Sequence, residues 1–367
     1  MAERPYKGLM PYDEADAPFF FGREAEREII SANLMASRLT LLYGASGVGK
    51  SSVLRAGVVR HLRALAEQNL IERGNPEFAI VVFNAWRDDP ITALTAEVEK
   101  GVSSFVSGHK TNEAGKGKGS LVETLRFWSE QIDGDLLIIL DQFEEYFLYH
   151  SQEDGEGTFA VEFPKAVNRQ DLRVSFLISV REDALAKLDR FKGRIPSLFD
   201  NYLRIDHLDR SAARAAIEKP IAEYNRLQKS GEEASIEPEL VEAILDQVKT
   251  GRVILGAAGR GVVEGADESR IETPYLQLVM TRLWDEEIQI SRAPFLRLST
   301  LEHLGGAERI VRTHLDTTMS ALPPDEQDSA ARIFRYLVTP SGTKIAHAAA
   351  DLAEYAQVSP SRLEPIL

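Results

Sequence analysis

The sequence of 367 residues contains no cysteine. Disulfide bridges, thiolate zinc sites and cysteine nucleophiles are thereby excluded, and a reducing compartment fits. No stretch approaches the ~20 uninterrupted apolar residues of a membrane-spanning helix. The opening residues Met1-Ala2-Glu3-Arg4-Pro5 do not lead from basic charge into an apolar run, so no secretory signal is legible. Basic side chains are in the minority, 43 against 57 acidic, and the resulting charge of -14 argues against nucleic acid as a bulk partner. No internal repeat is visible. What remains is the expectation of a soluble, cytoplasmic protein without a membrane span. Its length gives room for two or three domains of roughly 100–200 residues each.

Short, sharply bounded apolar runs at Leu39–Tyr43, Phe78–Phe83, Leu136–Leu140 and Val174–Val180, with a weaker one at Tyr202–Ile205, read as buried strands. Helical patterns separate them, beginning with an amphipathic stretch at Glu24–Ser37. Continuous apolar strands alternating with helices predict a parallel sheet covered on both faces. The segment Gly101–Ser120, rich in Gly, Ser and Lys, reads as a surface loop; Lys110, Lys116 and Lys118 are its alternative phosphate-binding candidates. After about Asp206 the pattern turns helical, at Ser211–Tyr224, Glu237–Lys249 and Tyr275–Gln289. Gly251–Ser269 interrupts it as a glycine-rich loop or hairpin. The expected helices Asp325–Val338 and Ala346–Ala356 follow Leu322-Pro323-Pro324 as a small module. The chain stops at Leu367 within that module, as a fragment of a longer protein would. Trp86, Trp128 and Trp284 read as core anchors.

Gly44-Ala45-Ser46-Gly47-Val48-Gly49-Lys50-Ser51 fits G-x-x-x-x-G-K-[ST] at every fixed position. A strand leads into it and a helical pattern, Ser51–Leu65, leads out. Glycines let a backbone wrap phosphate oxygens with its N–H groups turned inward, and the following helix adds its positive end. Lys50 is the expected β/γ-phosphate cation, and the Ser51 hydroxyl an expected Mg²⁺ ligand. Such a site needs a carboxylate at the end of a neighbouring strand, and Asp141 ends the run Leu136–Leu140. Gln142 follows, where many ATPases carry the glutamate base, which points to slow hydrolysis or a base placed further on. Glu144 and Glu145 are the candidates for polarising water, or else the exposed start of a helix. Arg181 ends the strand Val174–Val180. It either meets a γ-phosphate by charge-assisted bonds or pairs with Glu182 or Asp183.

With these residues in place the chain resembles the STAND class of P-loop ATPases, and within it the novel STAND NTPase 1 group. The resemblance runs from Pro5 to the end. Pro5-Tyr6-Lys7-Gly8-Leu9 and Phe20-Phe21-Gly22-Arg23-Glu24 resemble the group's N-terminal motif, which lies against the adenine. Gly44–Ser51 with Ser52, Val53, Arg55, Ala56 and Gly57 resembles its phosphate loop and first helix. Asp141-Gln142-Phe143-Glu144-Glu145 resembles its Walker B segment, and Arg181-Glu182-Asp183 its sensor arginine. Thr273-Pro274-Tyr275-Leu276-Gln277 resembles the proline motif of the helical domain, with Glu272 where glycine is frequent. The final module resembles a winged helix cut short.

The resemblance implies an α/β P-loop NTPase sheet with helices on both faces, then an all-α subdomain and a partial winged-helix module. The boundaries expected are 1–37 for the N-terminal segment and helix, 38–208 for the NTPase core, 209–320 for the helical subdomain and 321–367 for the last module. It implies ATP or ADP with Mg²⁺ as ligands, held by Phe21, Gly22, Arg23, Gly44 through Ser52 and Pro274. Lys50, Asp141, Glu144, Glu145 and Arg181 would carry the chemistry, and Ser51 and Asp141 the metal. It further implies a regulatory switch in bacterial signalling that self-associates on activation, with effector or sensor domains on a longer chain or a partner protein. Two other readings compete. A fast AAA+-like remodeller requires an arginine acting in trans, which the sequence does not assign. A DNA-binding initiator-like ATPase requires a basic module, yet residues 321–367 carry Arg332, Arg335, Lys344 and Arg362 against six acids.

Overall fold

The computed structural model describes residues 4–103, 105, 120–228, 233–250, 270–337 and 349–363. The lysine loop around Lys110, Lys116 and Lys118 and the glycine-rich stretch 251–269 lie outside the described residues. The chain divides into two compact units: one is Pro11–Ala17 with Arg23–Asp206, the other Met1–Met10, Pro18–Gly22 and His207–Leu367.

In the first unit the apolar runs form five strands: β1 Leu39–Gly44, β2 Phe78–Phe83, β3 Asp135–Leu140, β4 Val174–Arg181 and β5 Tyr202–Arg204. All neighbours are parallel, in the order β2-β3-β4-β1-β5. Both sets of alternating side chains are buried, Leu41 and Leu42, Ile138 and Ile139, Leu177 and Ile178 each at 0% exposure. A sheet covered on one face only would have left every second residue polar. On one face Leu41, Val81, Ile138 and Phe176 cluster with Val98, Leu125, Phe159 and Phe163 from intervening helices. The helix Leu121–Gln131 starts on a capping box, Ser120 accepting from the Glu123 N–H and Glu123 from the Ser120 N–H.

The segment after the glycine-rich loop departs from the single helix expected at Ser51–Leu65. A short α-turn, Lys50–Ser52, passes into a π-helical stretch, Val53–Val59, before α-helix resumes at Arg60–Arg73. Six of the seven π-helical residues are buried, so packing holds the widened turns that local periodicity alone would not form. A second π-helical stretch, Asp285–Ile290, likewise ends the helix Thr273–Trp284, where one continuous helix was expected.

The second unit is helical, with Arg210–Leu227, Pro238–Gln247, Thr273–Trp284, Leu298–His303 and Gly306–Ser320. Asp209 caps the first, accepting from the Ala212 N–H at 2.8 Å, and prolines open the next two. Ile217, Leu240, Ile244, Leu276, Val279 and Leu283 line its core. Tyr6, from the aromatic N-terminal segment, is buried there. Its hydroxyl donates to Ile217 O at 2.5 Å and its ring meets Trp284 edge-on at 5.9 Å. A two-residue parallel pair, β6 Ser235–Ile236 with β7 Phe295–Leu296, was not legible beforehand. The helices Pro324–Leu337, Ala349–Ala356 and Pro360–Leu363 gather around Ile333, Leu352, Ala356 and Leu363. Among the described residues no helix is long and apolar enough to cross a membrane.

Candidate functional site

The strand order brings the chemistry to one edge. The chain leaves β1 for β2 at the far side of the sheet, while β4 and β5 flank β1. Connections that diverge in this way open a crevice beyond the carboxyl ends of the strands. Gly44 ends β1 in register with Arg181 at the end of β4. On its other side a Cβ on Gly44 would stand 2.3 Å from the Ile205 carbonyl oxygen, so glycine alone fits. Gly47 and Gly49 have φ of 85° and 91°, the left-handed conformation that turns the loop back into the helix. Ala45, Ser46 and Gly47 are exposed, whereas Val48 is fully buried and anchors the loop from beneath.

Lys50 folds back over this loop. Its ammonium donates to Gly44 O at 2.8 Å and Ala45 O at 2.9 Å. Burial pushes it below the ordinary lysine value, while the carboxylates of Glu144, Asp141 and Asp183 act in the opposite direction. Ser51 is half-buried in the first helical turn. The Ser52 hydroxyl accepts from the Tyr12 N–H at 3.1 Å. Arg23, 5% exposed, donates through one Nη to Val48 O at 2.9 Å and Asp206 O at 2.7 Å, and through the other to Glu26 at 2.5 Å. Its guanidinium is thus engaged with the back of the loop.

Asp141 stands at the end of β3, between two further ladder bonds: its N–H donates to Phe83 O, and the Phe143 N–H donates to Ser179 O. The carboxylate is 1% exposed. Oδ1 accepts from the Gln142 N–H at 3.0 Å, and Oδ2 has no hydrogen-bond partner among the described residues. Arg55 of the π-helical stretch brings a guanidinium nitrogen to 3.8 Å from Oδ2. Gln142 adopts φ 54°, a left-handed conformation uncommon outside glycine, and the helix Glu144–Tyr149 begins just beyond. Glu144 accepts from the Arg181 N–H at 3.1 Å, and burial raises its carboxyl above the usual glutamate value. Glu145 lies in the same first turn and acts electrostatically on Tyr149. The Arg181 side chain grips Asp183 with two bonds, Nε at 3.0 Å and Nη2 at 2.7 Å, which is one of the two pairings its sequence context allowed.

Lys50, Asp141, Glu144 and Arg181 are therefore brought together with the Gly44–Ser52 loop in one unit. Phe21, Gly22 and Pro274 belong to the helical unit. Phe21 has the Lys219 ammonium 5.7 Å from its ring centre, Gly22 is packed against the Ala212 carbonyl, and Pro274 occupies the first turn of Thr273–Trp284. Sequence reading missed Arg55 and Trp86 as neighbours of Asp141. Trp86 donates its indole N–H to the Asp141 carbonyl, and only tertiary pairing reveals this.

Residues of this kind fit a nucleotide with a divalent cation: among the described residues a buried Asp141 oxygen has no hydrogen-bond donor, and the Lys50 ammonium donates to the carbonyls of its own loop. Five parallel strands with a glycine-rich loop leaving β1 and an aspartate ending β3 define a P-loop nucleoside triphosphatase. The chain belongs to the Novel STAND NTPase 1 family, whose model matches residues 5–366. No curated protein matches it. Among solved structures it is similar to the ORC2 protein of Aeropyrum pernix in its ADP form, with 15% identity over 94% of this chain and 82% of that one and a TM-score of 0.50. It is also similar to the same protein in ADPNP-ADP complexes, with 15% identity over 86% and 74% and a TM-score of 0.50. At such identity the likeness is one of fold.

Proposed function

We propose that the chain is an ATP/ADP-binding switch of the STAND type, in which exchange of ADP for ATP and slow hydrolysis control conformational opening. The observation that carries this reading is the register of β1 with β4, which sets Arg181 beside Gly44 at the mouth of the loop. One residue pair thereby joins the group that would meet the terminal phosphate to the loop that would hold the inner ones.

Backbone N–H groups of Gly44–Ser51 and the Lys50 ammonium would hold the phosphates. Ser51 and Asp141 would hold Mg²⁺, which when bound supplies charge neutralisation at the phosphate oxygens. Of the two glutamates, Glu144 is the better base. Burial raises its affinity for a proton, and its carboxylate accepts from the Arg181 N–H and acts electrostatically on Lys50. Gln142 directly after Asp141 agrees with slow turnover. Arg23 would act on the nucleotide through the loop, whose Val48 carbonyl it holds. A ligand shifts two arrangements of a protein only by its differential affinity for them, and the third phosphate supplies that difference.

The same reading takes in cytoplasmic signalling, self-association on activation, effector or sensor domains on a longer chain or a partner, and a winged-helix character for residues 321–367. The likeness to ORC2 is compatible with it, being a likeness of fold. Calorimetric titration with ADP and ATP in the presence of Mg²⁺ tests the reading. Binding by the wild type, its loss in Lys50→Ala, and turnover well below the ~10 s⁻¹ typical of enzymes are expected. Failure to bind either nucleotide would sink it.

A further inference from the structure

Among the described residues, Lys50, Asp141 and Arg181 at the mouth of the loop each face a group of the chain itself. Lys50 takes the Gly44 and Ala45 carbonyls, and Asp141 faces Arg55. Arg181 differs from these, because its partner is an anion of the same geometry as a phosphate edge. The two Asp183 oxygens receive two guanidinium N–H groups at 3.0 and 2.7 Å, the fork-to-fork arrangement that phosphate also accepts. The backbone enforces the pairing. Arg181 is the extended last residue of β4, and the chain then turns into a 3₁₀ helix, Glu182–Leu188, whose first turn carries Asp183 back beside the arginine.

Burial of the two partners is unequal. The Arg181 side chain is 15% exposed and the Asp183 side chain 60%. The arginine is held at the loop, by its register with Gly44 and by the Glu144 carboxylate on its N–H, whereas the aspartate reaches it from the solvent side. An exposed carboxylate can withdraw into water at little cost. Asp183 also acts electrostatically on Lys50, so its charge falls within the field that a terminal phosphate would meet.

We infer that Asp183 is a stand-in for the terminal phosphate: it occupies the Arg181 fork in the diphosphate-bound and empty protein and is displaced when a triphosphate binds. This rests on the nucleotide reading above and makes Asp183 a specificity-determining residue. Its carboxylate competes with the third phosphate but not with the first two, and so sets the preference for ADP over ATP. An ion pair so exposed is worth about two- to fivefold in an equilibrium, a range suited to a switch that must yield to its ligand.

The test is a double-mutant cycle read by equilibrium binding with Mg²⁺, using ADP and the non-hydrolysable β,γ-imido analogue of ATP. Asp183→Asn should tighten the analogue by about two- to fivefold while leaving ADP unchanged. Asp183→Ser should do the same, which separates release of the arginine from any new contact made by the amide. Arg181→Ala should weaken the analogue more than ADP, and adding Asp183→Asn to it should then change nothing. Three results would overturn the inference: equal effects on both nucleotides, no effect, or a gain that persists in the Arg181→Ala background, since that would be general charge repulsion. Wild-type protein that binds neither nucleotide would remove the site reading itself; wild-type binding with a flat cycle removes only the role of Asp183.

Discussion

Trp86 donates its indole N–H to the main-chain carbonyl of Asp141 at 2.7 Å, and both residues are 1% exposed. The ring sits edge-on among Phe83, Phe143, Tyr146 and Phe159, with centroids 4.7 to 5.8 Å away. Its own carbonyl meets His150 Nε2 at 2.7 Å. An aromatic cluster thus fixes the backbone from which the Asp141 carboxylate projects.

Trp86→Phe keeps an aromatic ring there and removes the donor, leaving a buried carbonyl unpaired. The expected loss is about 1–3 kcal/mol of stability, measured by urea unfolding. Nucleotide affinity should lose part of its gain from Mg²⁺ while Mg²⁺-free binding is kept. An unchanged unfolding midpoint would show that the bond contributes nothing.

Two loop glycines should respond differently to one methyl group. At Gly44 an added Cβ meets a backbone oxygen at 2.3 Å, whereas at Gly49 nothing lies within 4 Å and only φ of 91° opposes a side chain. Gly49→Ala should therefore cost roughly 1–2 kcal/mol from backbone strain. Gly44→Ala should exceed the ~3 kcal/mol that bounds most substitutions, because β1 and β5 must separate. Chemical denaturation of both variants ranks them, and the reverse order would refute the packing explanation.

The sheet was legible because its strands are short apolar runs with abrupt ends, and Leu39–Gly44, Phe78–Phe83 and Val174–Arg181 fall within a residue or two of where those runs lie. The loop was legible because its glycines and lysine have a fixed spacing. Strand order was not, since Leu41 would be equally apolar beside any neighbour. The π-helical stretches at Val53–Val59 and Asp285–Ile290 escaped because their apolar spacing overlaps that of an α-helix. Arg55 and Trp86 escaped for another reason: each meets Asp141 across 86 or 55 positions of sequence, and no local pattern encodes such a pairing. The left-handed turn at Gln142 is equally silent, glutamine having no preference for it.

Glu144 carries a pH signature. Burial, the largest cause, raises its carboxyl above 4.5 in the folded protein. Between that ordinary value and the raised one, the native state keeps a proton that the unfolded chain has lost. Stability contributed by this group therefore falls as pH rises through the window. Glu144→Gln keeps an acceptor for the Arg181 N–H but cannot titrate. Unfolding free energies of the two proteins, compared from about pH 4.5 upward, should diverge in favour of the variant. Parallel curves would mean that the carboxyl titrates as if in water.

Arg23 is expected to act on the nucleotide through the loop. Its guanidinium ties the Val48 carbonyl, inside the loop, to the Asp206 carbonyl, the last residue of the sheet unit. Arg23→Ala strips both carbonyls of a charged donor and leaves Glu26 without its ion pair, a loss of about 2–4 kcal/mol. Arg23→Lys keeps the charge without the planar fork, so it can serve one carbonyl well but not both, and should fall between. Hydrogen exchange at Val48 and Gly49 should quicken in the same order, and ADP affinity should weaken with it. If Arg23→Ala melts with the wild type and its loop amides exchange no faster, the buried guanidinium is not what holds the loop.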